Sequence, residues 1–437
     1  MAARHVDRPL RIALLSYRSK PHSGGQGIYV RHLSRELVAL GHEVEVLSGP
    51  PYPELDVLPD GRGPSLTKVP SLDLYREPDP FRVPHWREFR TPVDVLEFAL
   101  MCTAAFPEPL TFSLRAAKEL RRRSERPDVV HDNQTLGHGL LLAQRAGFRV
   151  LATLHHPITV DRRHDLAAAE TFGKRFSLRR WYSFLRMQQA VARRLPGLLT
   201  VSQSSADDIV RDFGVDPRRL TIVPVGVEVD VFVPPAAPRV PGRIVATASA
   251  DVPLKGLVPL LEAVAKLRTE RDVELVVVGR PKEGGAALAT LDRLGLQDAV
   301  RFVSGVSEAE LVDLFGSAEV AVVPSLYEGF SLPAIEAMAC ATPLVATTAG
   351  ALPEVVGPDG ETALHVPPGD PEALALAVGR LLDDPELAAR IGAAGRERVV
   401  SRFTWRAVAE QTVTWYRAVF PELATCSLPT PAEEQLC

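Results

Sequence analysis

The sequence has few cysteines, no long hydrophobic run and no apolar leader. Its 437 residues include four cysteines, and these are scattered without the close spacing of a zinc site. No apolar run approaches the roughly 20 residues of a membrane-spanning helix, and the first residues lack the apolar core of a signal peptide. We therefore expect a reduced, cytoplasmic protein without structural zinc.

Positive charge is not in excess either. The formal net charge is −4, which argues against general nucleic-acid binding. Only seven of the 50 basic residues are lysines, so a lysine that follows a strand stands out. Hydrophobic residues make up 46% and charged residues 24% of the chain, as in a globular protein long enough for two domains.

The first half of the chain alternates strand-like and helix-like segments. Leu10–Ser16 has the pattern of a buried strand, and a glycine-rich loop, residues 23–27, leads into a helix that ends at Gly41. Glu43–Leu47 is the next predicted strand. This β-α-β unit predicts a parallel sheet with crossover helices in a first domain of residues 1–235.

Two segments of this half depart from the alternation. Residues 50–112 are rich in proline and poor in periodicity, which predicts an irregular insertion with a short helix near residues 92–105. Residues 162–194 hold nine lysines and arginines with aromatic residues among them. This stretch is either a solvated helix face or a surface for an acidic acceptor or anionic lipid, and we consider peripheral membrane contact through residues 85–112 and 162–194.

The second half begins after a proline-rich linker at residues 233–241. The α/β alternation resumes and predicts a second domain of residues 242–402. A further helix is predicted for residues 403–420, and residues 421–437 are expected to form a disordered tail.

Two glutamates, Glu328 and Glu336, lie eight positions apart around a predicted strand–loop–helix junction. Ser331 is predicted to cap the helix, and Pro333 fits its first turn. In an open parallel sheet this loop faces the ligand crevice, and the free N–H groups of the helix start suit an anion such as a diphosphate. The alternative is a pair of solvated acidic residues at an ordinary helix start.

Three other segments could carry chemistry at strand ends. Lys255 follows the first strand of the second half and suits a diphosphate, although it could be a solvated loop lysine. The glycine-rich loop at residues 23–27 would allow close approach to a phosphate or sugar, or is a flexible turn. His155 could contact a sugar or acceptor, or be a satisfied structural histidine.

Together these segments resemble the retaining glycosyltransferases of family 4, which have the GT-B fold. The most specific match is residues 328–336, which fit the Glu-x7-Glu signature of that family, and residues 339–354 continue the match. Residues 200–202 and 224–228 resemble family segments that precede the linker. The implied fold is α/β, with two Rossmann-like domains facing a cleft and a C-terminal helix that crosses back to the first domain.

The resemblance also implies roles for individual residues. Glu328 would hold hydroxyls of the donor sugar, Glu336 the nucleotide ribose and Lys255 the diphosphate, while His155 would lie near the sugar. Of these, Glu328, Lys255 and His155 are the implied catalytic residues. The implied donor-binding residues are Gly24, Gly25, Ser249, Lys255, Glu328, Gly329, Phe330, Ser331, Leu332 and Glu336.

Two positions depart from the family pattern. Ser249 stands where the family commonly has an arginine that acts as a second diphosphate cation, and Val225 stands where asparagine is frequent. Lys255 would then act largely alone, or another basic residue would replace the missing cation.

The implied reaction moves a sugar from a nucleoside-diphosphate sugar to an acceptor hydroxyl on a lipid, a glycan or a small molecule. The anomeric configuration would be retained and no metal or other cofactor required. Two alternatives share the architecture: a GT-B-fold nucleotide-sugar isomerase and an inactive nucleotide-sugar-binding scaffold.

Overall fold

The chain forms two compact units in a computed structural model that describes residues 8–19, 25–247 and 252–424. The first unit takes its residues from Met1–Leu199, Val210–Thr221 and Ala409–Cys437. The second takes them from Thr200–Ile209 and Ile222–Val408.

The first unit is built on a seven-stranded sheet with the order β3-β2-β1-β4-β5-β6-β7. Its strands are β1 (Arg11–Ser16), β2 (Glu43–Ser48), β3 (Ser65–Lys68), β4 (Val129–Asn133), β5 (Val150–Thr153), β6 (Leu198–Thr200) and β7 (Leu220–Ile222). Every residue of β4 and β5 is buried, as expected for central strands of a parallel sheet, although residues 131–133 at the end of β4 are polar. The neighbours β1, β2, β4 and β5 pair in parallel, as the β-α-β pattern predicts.

Within the described residues, the helices that precede the second sheet are α1 (Gly25–Ala39), α2 (Pro92–Cys102), α3 (Glu108–Arg121), α4 (His138–Arg145), α5 (Thr159–Ala168), α6 (Phe172–Trp181), α7 (Phe184–Ala192) and α8 (Gln203–Phe213). The predicted apolar face of α1 is confirmed, since Val30, Leu33 and Leu37 are buried. The basic stretch of residues 162–194 lies mainly in α5, α6 and α7.

The segment predicted to be irregular, residues 50–112, contains more regular structure than expected. The short helix near residue 92 is present as α2, but β3 joins the sheet edge beside β2, and α3 already begins at Glu108. The four residues of β3 are half-exposed or exposed, so this edge strand lacks the apolar run by which buried strands are recognised.

The second unit contains a six-stranded sheet with the order β10-β9-β8-β11-β12-β13. Its strands are β8 (Val240–Thr247), β9 (Glu274–Val278), β10 (Val300–Val303), β11 (Ala318–Val323), β12 (Leu344–Thr347) and β13 (Leu364–Val366). Its helices are α9 (Leu257–Leu267), α10 (Ala286–Leu294), α11 (Glu308–Ser317), α12 (Leu332–Ala339), α13 (Leu352–Val356), α14 (Pro371–Asp383) and α15 (Pro385–Arg402). Each described strand pair of this sheet is parallel.

The end of the predicted linker is part of this sheet. β8 begins at Val240, which pairs with Ala318 of β11, so the strand starts inside the segment 233–241. Arg239 donates to the carbonyl oxygens of Gly316 and Ala341 at 2.9 and 2.8 Å. These contacts bind the linker to the carboxyl ends of α11 and α12, where helix carbonyls lack partners of their own.

The last helix, α16 (Trp405–Val419), contributes its residues from Ala409 onward to the first unit. Its Tyr416 hydroxyl lies 2.6 Å from Nδ1 of the buried His131 in β4. This agrees with the expected C-terminal helix that returns to the first domain. Pro421–Leu423 then forms a 3-10 turn with Leu423 buried, so the predicted disordered tail begins with ordered residues. Residues 425–437 lie outside the described residues.

No helix in the described ranges is long and apolar enough to cross a membrane.

Candidate functional site

Lys255 and Glu328 come together at the carboxyl ends of the neighbouring strands β8 and β11. Lys255 Nζ lies 2.6 Å from Glu328 Oε1, and the Ser325 hydroxyl donates to the same oxygen at 2.8 Å. The Leu326 N–H donates to the Leu254 carbonyl at 2.7 Å, which ties the two loops together. The side chain of Glu328 is 10% exposed and that of Lys255 29% exposed. The pair is therefore rigidly held, with the ammonium group still open to water.

Two glycines allow the backbone to pass close to these residues. A Cβ at Gly256 (φ +65°) would lie 1.9 Å from the Pro324 carbonyl oxygen, and one at Gly350 (φ +55°) would lie 2.2 Å from the Glu328 carbonyl oxygen. The same Glu328 oxygen accepts the Ala351 N–H at 2.9 Å. No residue with a side chain fits either position without displacing the loop.

Ser331 stands at the N-cap position of α12, but its side chain caps nothing, so the predicted cap is wrong. Its backbone has φ +95° and ψ 87°, a region that favours glycine. Ser331 is buried, and its hydroxyl has no hydrogen-bond partner in the described part of the chain. Both features cost folding free energy, and both are typical of a residue that a binding site holds ready for a ligand.

Glu336 lies one turn into α12 and is half-buried. Removal from water, with a smaller contribution from the Glu308 carboxylate, raises the pKa of Glu336 to about 7. Near neutral pH this side chain can therefore be a neutral acid or a carboxylate. Either form can hydrogen-bond a hydroxyl group, and the carboxylate accepts more strongly.

The loop between Glu328 and α12 is also held from the start of α8, whose residues up to Ile209 belong to the second unit. The hydroxyls of Ser202 and Ser205 both donate to the Gly329 carbonyl, at 2.7 and 3.1 Å. Nearby, the Tyr327 hydroxyl donates to Asp208 Oδ2 at 2.5 Å. These supporting residues were not predicted, because only the resemblance of residues 200–202 to a family segment pointed to that region.

His155 belongs to the first unit, where it follows β5. Its Nε2 lies 2.8 Å from the Asn133 amide oxygen, which only accepts, so Nε2 carries the proton. Its ring packs edge-on against Tyr29, with ring centroids 4.7 Å apart. Burial lowers the pKa of His155 to about 3, helped by His156 and His131, so the imidazole is neutral at physiological pH.

Gly25 begins α1 in the same unit and is exposed. The neighbouring Gln26 carbonyl accepts from the Asn133 amide at 3.3 Å, so Asn133 contacts both the first turn of α1 and His155. Asn133 was not predicted, although a polar residue that ends a fully buried strand was an available signal. Gly24 and Ser249 lie outside the described residues.

Among residues 8–19, 25–247 and 252–424, no group of three or more His, Cys, Asp or Glu side chains could hold a metal ion.

Two family profiles match the chain in succession. The family described as Glycosyltransferase Family 4 matches residues 23–231, and the one described as Glycosyl transferases group 1 matches residues 236–398. The chain belongs to these glycosyltransferases, as its sequence resemblance predicted. The predicted family, fold class and enzyme class are thereby confirmed.

Two individual relatives match nearly the whole chain. The chain is 56% identical over 419 residues to the MMP alpha-(1->4)-mannosyltransferase of Mycolicibacterium hassiacum, covering 95% of this chain and 100% of that protein. It is 32% identical over 422 residues to glycogen synthase of Mycobacterium tuberculosis, covering 94% and 95% of the two chains.

Solved structures give the same architecture. The sucrose-phosphate synthase of Thermosynechococcus elongatus superposes with a TM-score of 0.69 at 25% identity, over 94% of this chain and 99% of that one. Anabaena Alr3699/HepE in complex with UDP superposes with a TM-score of 0.65 at 17% identity, over 94% and 100% of the two chains, which supports the fold alone.

Proposed function

We propose that this glycosyltransferase transfers mannose from a nucleoside-diphosphate mannose to a sugar hydroxyl and forms an α-(1→4) linkage with retained configuration. The observation that carries the proposal is the 56% identity to an α-(1→4)-mannosyltransferase across essentially the whole of both chains. A (1→4) linkage joins two sugars, so the acceptor in this proposal is a glycan and not a simple lipid or alcohol.

In this proposal the second unit binds the donor. The diphosphate lies at the start of α12, where helix N–H groups and the buried Ser331 hydroxyl can donate to it. Lys255 supplies the positive charge. Glu328 accepts hydrogen bonds from hydroxyls of the sugar, and Glu336 accepts hydrogen bonds from hydroxyls of the ribose. HepE, which shares this fold, was solved in complex with UDP, and a nucleotide donor for this chain is part of the proposal.

Transfer breaks the bond between the mannose C1 and the diphosphate oxygen and forms one between C1 and the acceptor oxygen. The leaving diphosphate gains negative charge, which Lys255 and the N–H groups of α12 stabilise. In the front-face mechanism implied by the family, the acceptor proton passes to an oxygen of that departing phosphate. The neutral His155 would hydrogen-bond a sugar hydroxyl rather than remove a proton.

We further propose that the reaction needs no metal ion, because Lys255 and the helix N–H groups supply the stabilising charge. Transfer should then continue undiminished in EDTA. A loss of activity in EDTA that Mg²⁺ or Mn²⁺ restores would contradict this part of the proposal.

Peripheral membrane contact also remains a proposal, and α6 is the segment that favours it. Phe172 and Phe176 are 81% and 59% exposed, one helical turn apart, and the helix also carries Lys174 and Arg179. Aromatic side chains beside cations suit an anionic bilayer surface. We expect the wild type to co-sediment with anionic vesicles and the double variant Phe172→Ser with Phe176→Ser to stay in the supernatant. A wild type that does not co-sediment would rule the contact out.

The transfer itself is tested by a donor screen with UDP-, GDP- and ADP-linked mannose and glucose and an α-(1→4)-mannooligosaccharide acceptor. NMR of the product should show a new α-(1→4)-linked mannose. An epimerised nucleotide sugar formed without acceptor would indicate the isomerase alternative. Donor binding without turnover would indicate the inactive scaffold.

A further inference from the structure

The Gly329 carbonyl accepts from two buried serine hydroxyls. Ser202 Oγ donates at 2.7 Å and Ser205 Oγ at 3.1 Å, and the Ser205 N–H donates to Ser202 Oγ at 3.0 Å. Ser202 is 2% exposed and Ser205 is fully buried. The carbonyl thus uses both of its acceptor directions within the protein.

This arrangement sets the direction of the next amide. The Gly329–Phe330 peptide is trans, so the Phe330 N–H points away from the carbonyl that the serines hold. No acceptor for that N–H is found within the described ranges. The Phe330 ring packs edge-on against Phe403 at 5.7 Å, which limits rotation of the same residue from its side-chain end.

The two serines are themselves held in place. The Glu354 carboxylate accepts the N–H groups of Gln203 and Ser204 at 2.8 and 2.9 Å and so caps the start of α8. One turn later, Asp208 accepts from Tyr327, two residues before Gly329. The start of α8 and the loop before α12 are therefore joined by three hydrogen bonds, which involve the side chains of Ser202, Ser205 and Asp208.

We infer that Ser202 and Ser205 are positioning residues for donor binding: they fix the Gly329–Phe330 peptide so that the Phe330 N–H donates to the donor diphosphate. The inference rests on the proposed function and names what prepares that site. Without the hydroxyls the carbonyl end of the peptide loses both of its contacts, and an amide whose direction is no longer fixed is a poorer preorganised donor to the phosphate.

The test compares ligands with and without the diphosphate. Calorimetric titration with GDP, UDP and ADP, and with guanosine, uridine and adenosine, identifies the base that the wild type binds. For that base, the double variant Ser202→Ala with Ser205→Ala should bind the nucleoside diphosphate about tenfold or more weakly, because the amide is misdirected. Its affinity for the nucleoside alone should not change.

Two further variants separate positioning from folding. Ser204→Ala changes the neighbouring serine, whose backbone and not whose side chain contacts Glu354, and should leave both affinities unchanged. Ser202→Thr, which keeps a hydroxyl, should restore diphosphate affinity in a chain with intact Ser205. The thermal unfolding midpoint of each variant shows whether it is folded.

The outcomes are distinguishable. Wild-type diphosphate affinity in the double variant, or an equal loss for nucleoside and nucleoside diphosphate in a folded protein, would overturn the inference while the proposed function stands. A wild type that binds none of the three diphosphates would overturn both.

Discussion

Lys255 Nζ lies 2.6 Å from Glu328 Oε1, so the predicted diphosphate cation and a predicted sugar-binding carboxylate form an ion pair. An ammonium group has three N–H donors, and one contact with Glu328 leaves capacity for phosphate oxygens. In the proposed function, this pair would place the site for the leaving group directly beside the site for the sugar. This is the arrangement that cleavage of the bond between them requires.

Replacing Lys255 by alanine should reduce transfer on the order of 10²-fold or more, because the charge on the departing diphosphate loses its cation. Initial rates at saturating acceptor measure the effect. Lys266→Ala is the matched control, since Lys266 forms an exposed ion pair with Glu372 in the same unit, and its rate should stay near that of the wild type. Equal rates for Lys255→Ala and the wild type would refute the role of this residue.

Glu336 should make stability depend on pH. Its pKa is raised from 4.5 to about 7 by folding, so between these values the folded protein binds more protons than the unfolded chain. The contribution of Glu336 is therefore fully present below pH 4.5 and is lost as the pH rises through about 7. Glu108 and Asp132 also have pKa values raised to about 7, so they change the stability with the same sign. They are present in both the wild type and Glu336→Gln, so the difference in stability between these two proteins reports on Glu336.

Urea titrations of the wild type and Glu336→Gln across this pH range measure the difference, which should disappear at low pH and favour the variant above neutrality. The affinity for the nucleoside should rise with pH in the wild type as Glu336 ionises. In Glu336→Gln this affinity should not depend on pH. Parallel pH profiles for the two proteins would show that Glu336 does not titrate as described.

Ser331→Gly should increase stability and weaken donor binding at once. Glycine relieves the backbone at φ +95°, with an expected gain of about 1 kcal/mol in unfolding free energy, and it removes the buried hydroxyl. Ala341→Gly is the matched control, because it relieves a positive φ of 52° in the same unit without removing a polar group. Denaturant titration and nucleoside-diphosphate affinity are the measurements. Unchanged affinity in Ser331→Gly would mean that the hydroxyl does not contact the ligand.

Gly350→Ala should reduce donor binding through the backbone alone. Its Cβ would lie 2.2 Å from the Glu328 carbonyl oxygen, so the loop that carries Glu328 must move. Gly360→Ala is the control, since Gly360 also has a positive φ, +74°, but its Cβ would meet nothing within 4 Å. Both should lose about 1 kcal/mol of stability from backbone strain. Gly350→Ala should lose more stability because of the collision with the Glu328 carbonyl, and only this variant should lose transfer activity. Equal activity in the two variants would show that the loop tolerates the displacement.

Some parts of the site were predictable from the sequence and others were not. The strand before Glu328 was recognised from its continuous apolar run. The helix after it was recognised from Pro333 in its first turn and from its stop before Pro343. β3 was missed because an exposed edge strand lacks that pattern. The cap assigned to Ser331 was wrong because the same residue type occurs at N-caps and at strained positions, and only φ distinguishes them.

The sequence by itself determined the α/β alternation of both halves, the residue types at the strand ends and, through the Glu-x7-Glu segment, the family. Only the tertiary structure decided which of those residues meet. Lys255 and Glu328 are 73 positions apart and come into contact because β8 and β11 are neighbours, although two strands separate them in the chain. The apolar pattern of a strand reports that it is buried and not which strand lies beside it, so sheet order, and with it the hydrogen bonds of Ser202, Ser205 and Asn133, had to come from the fold.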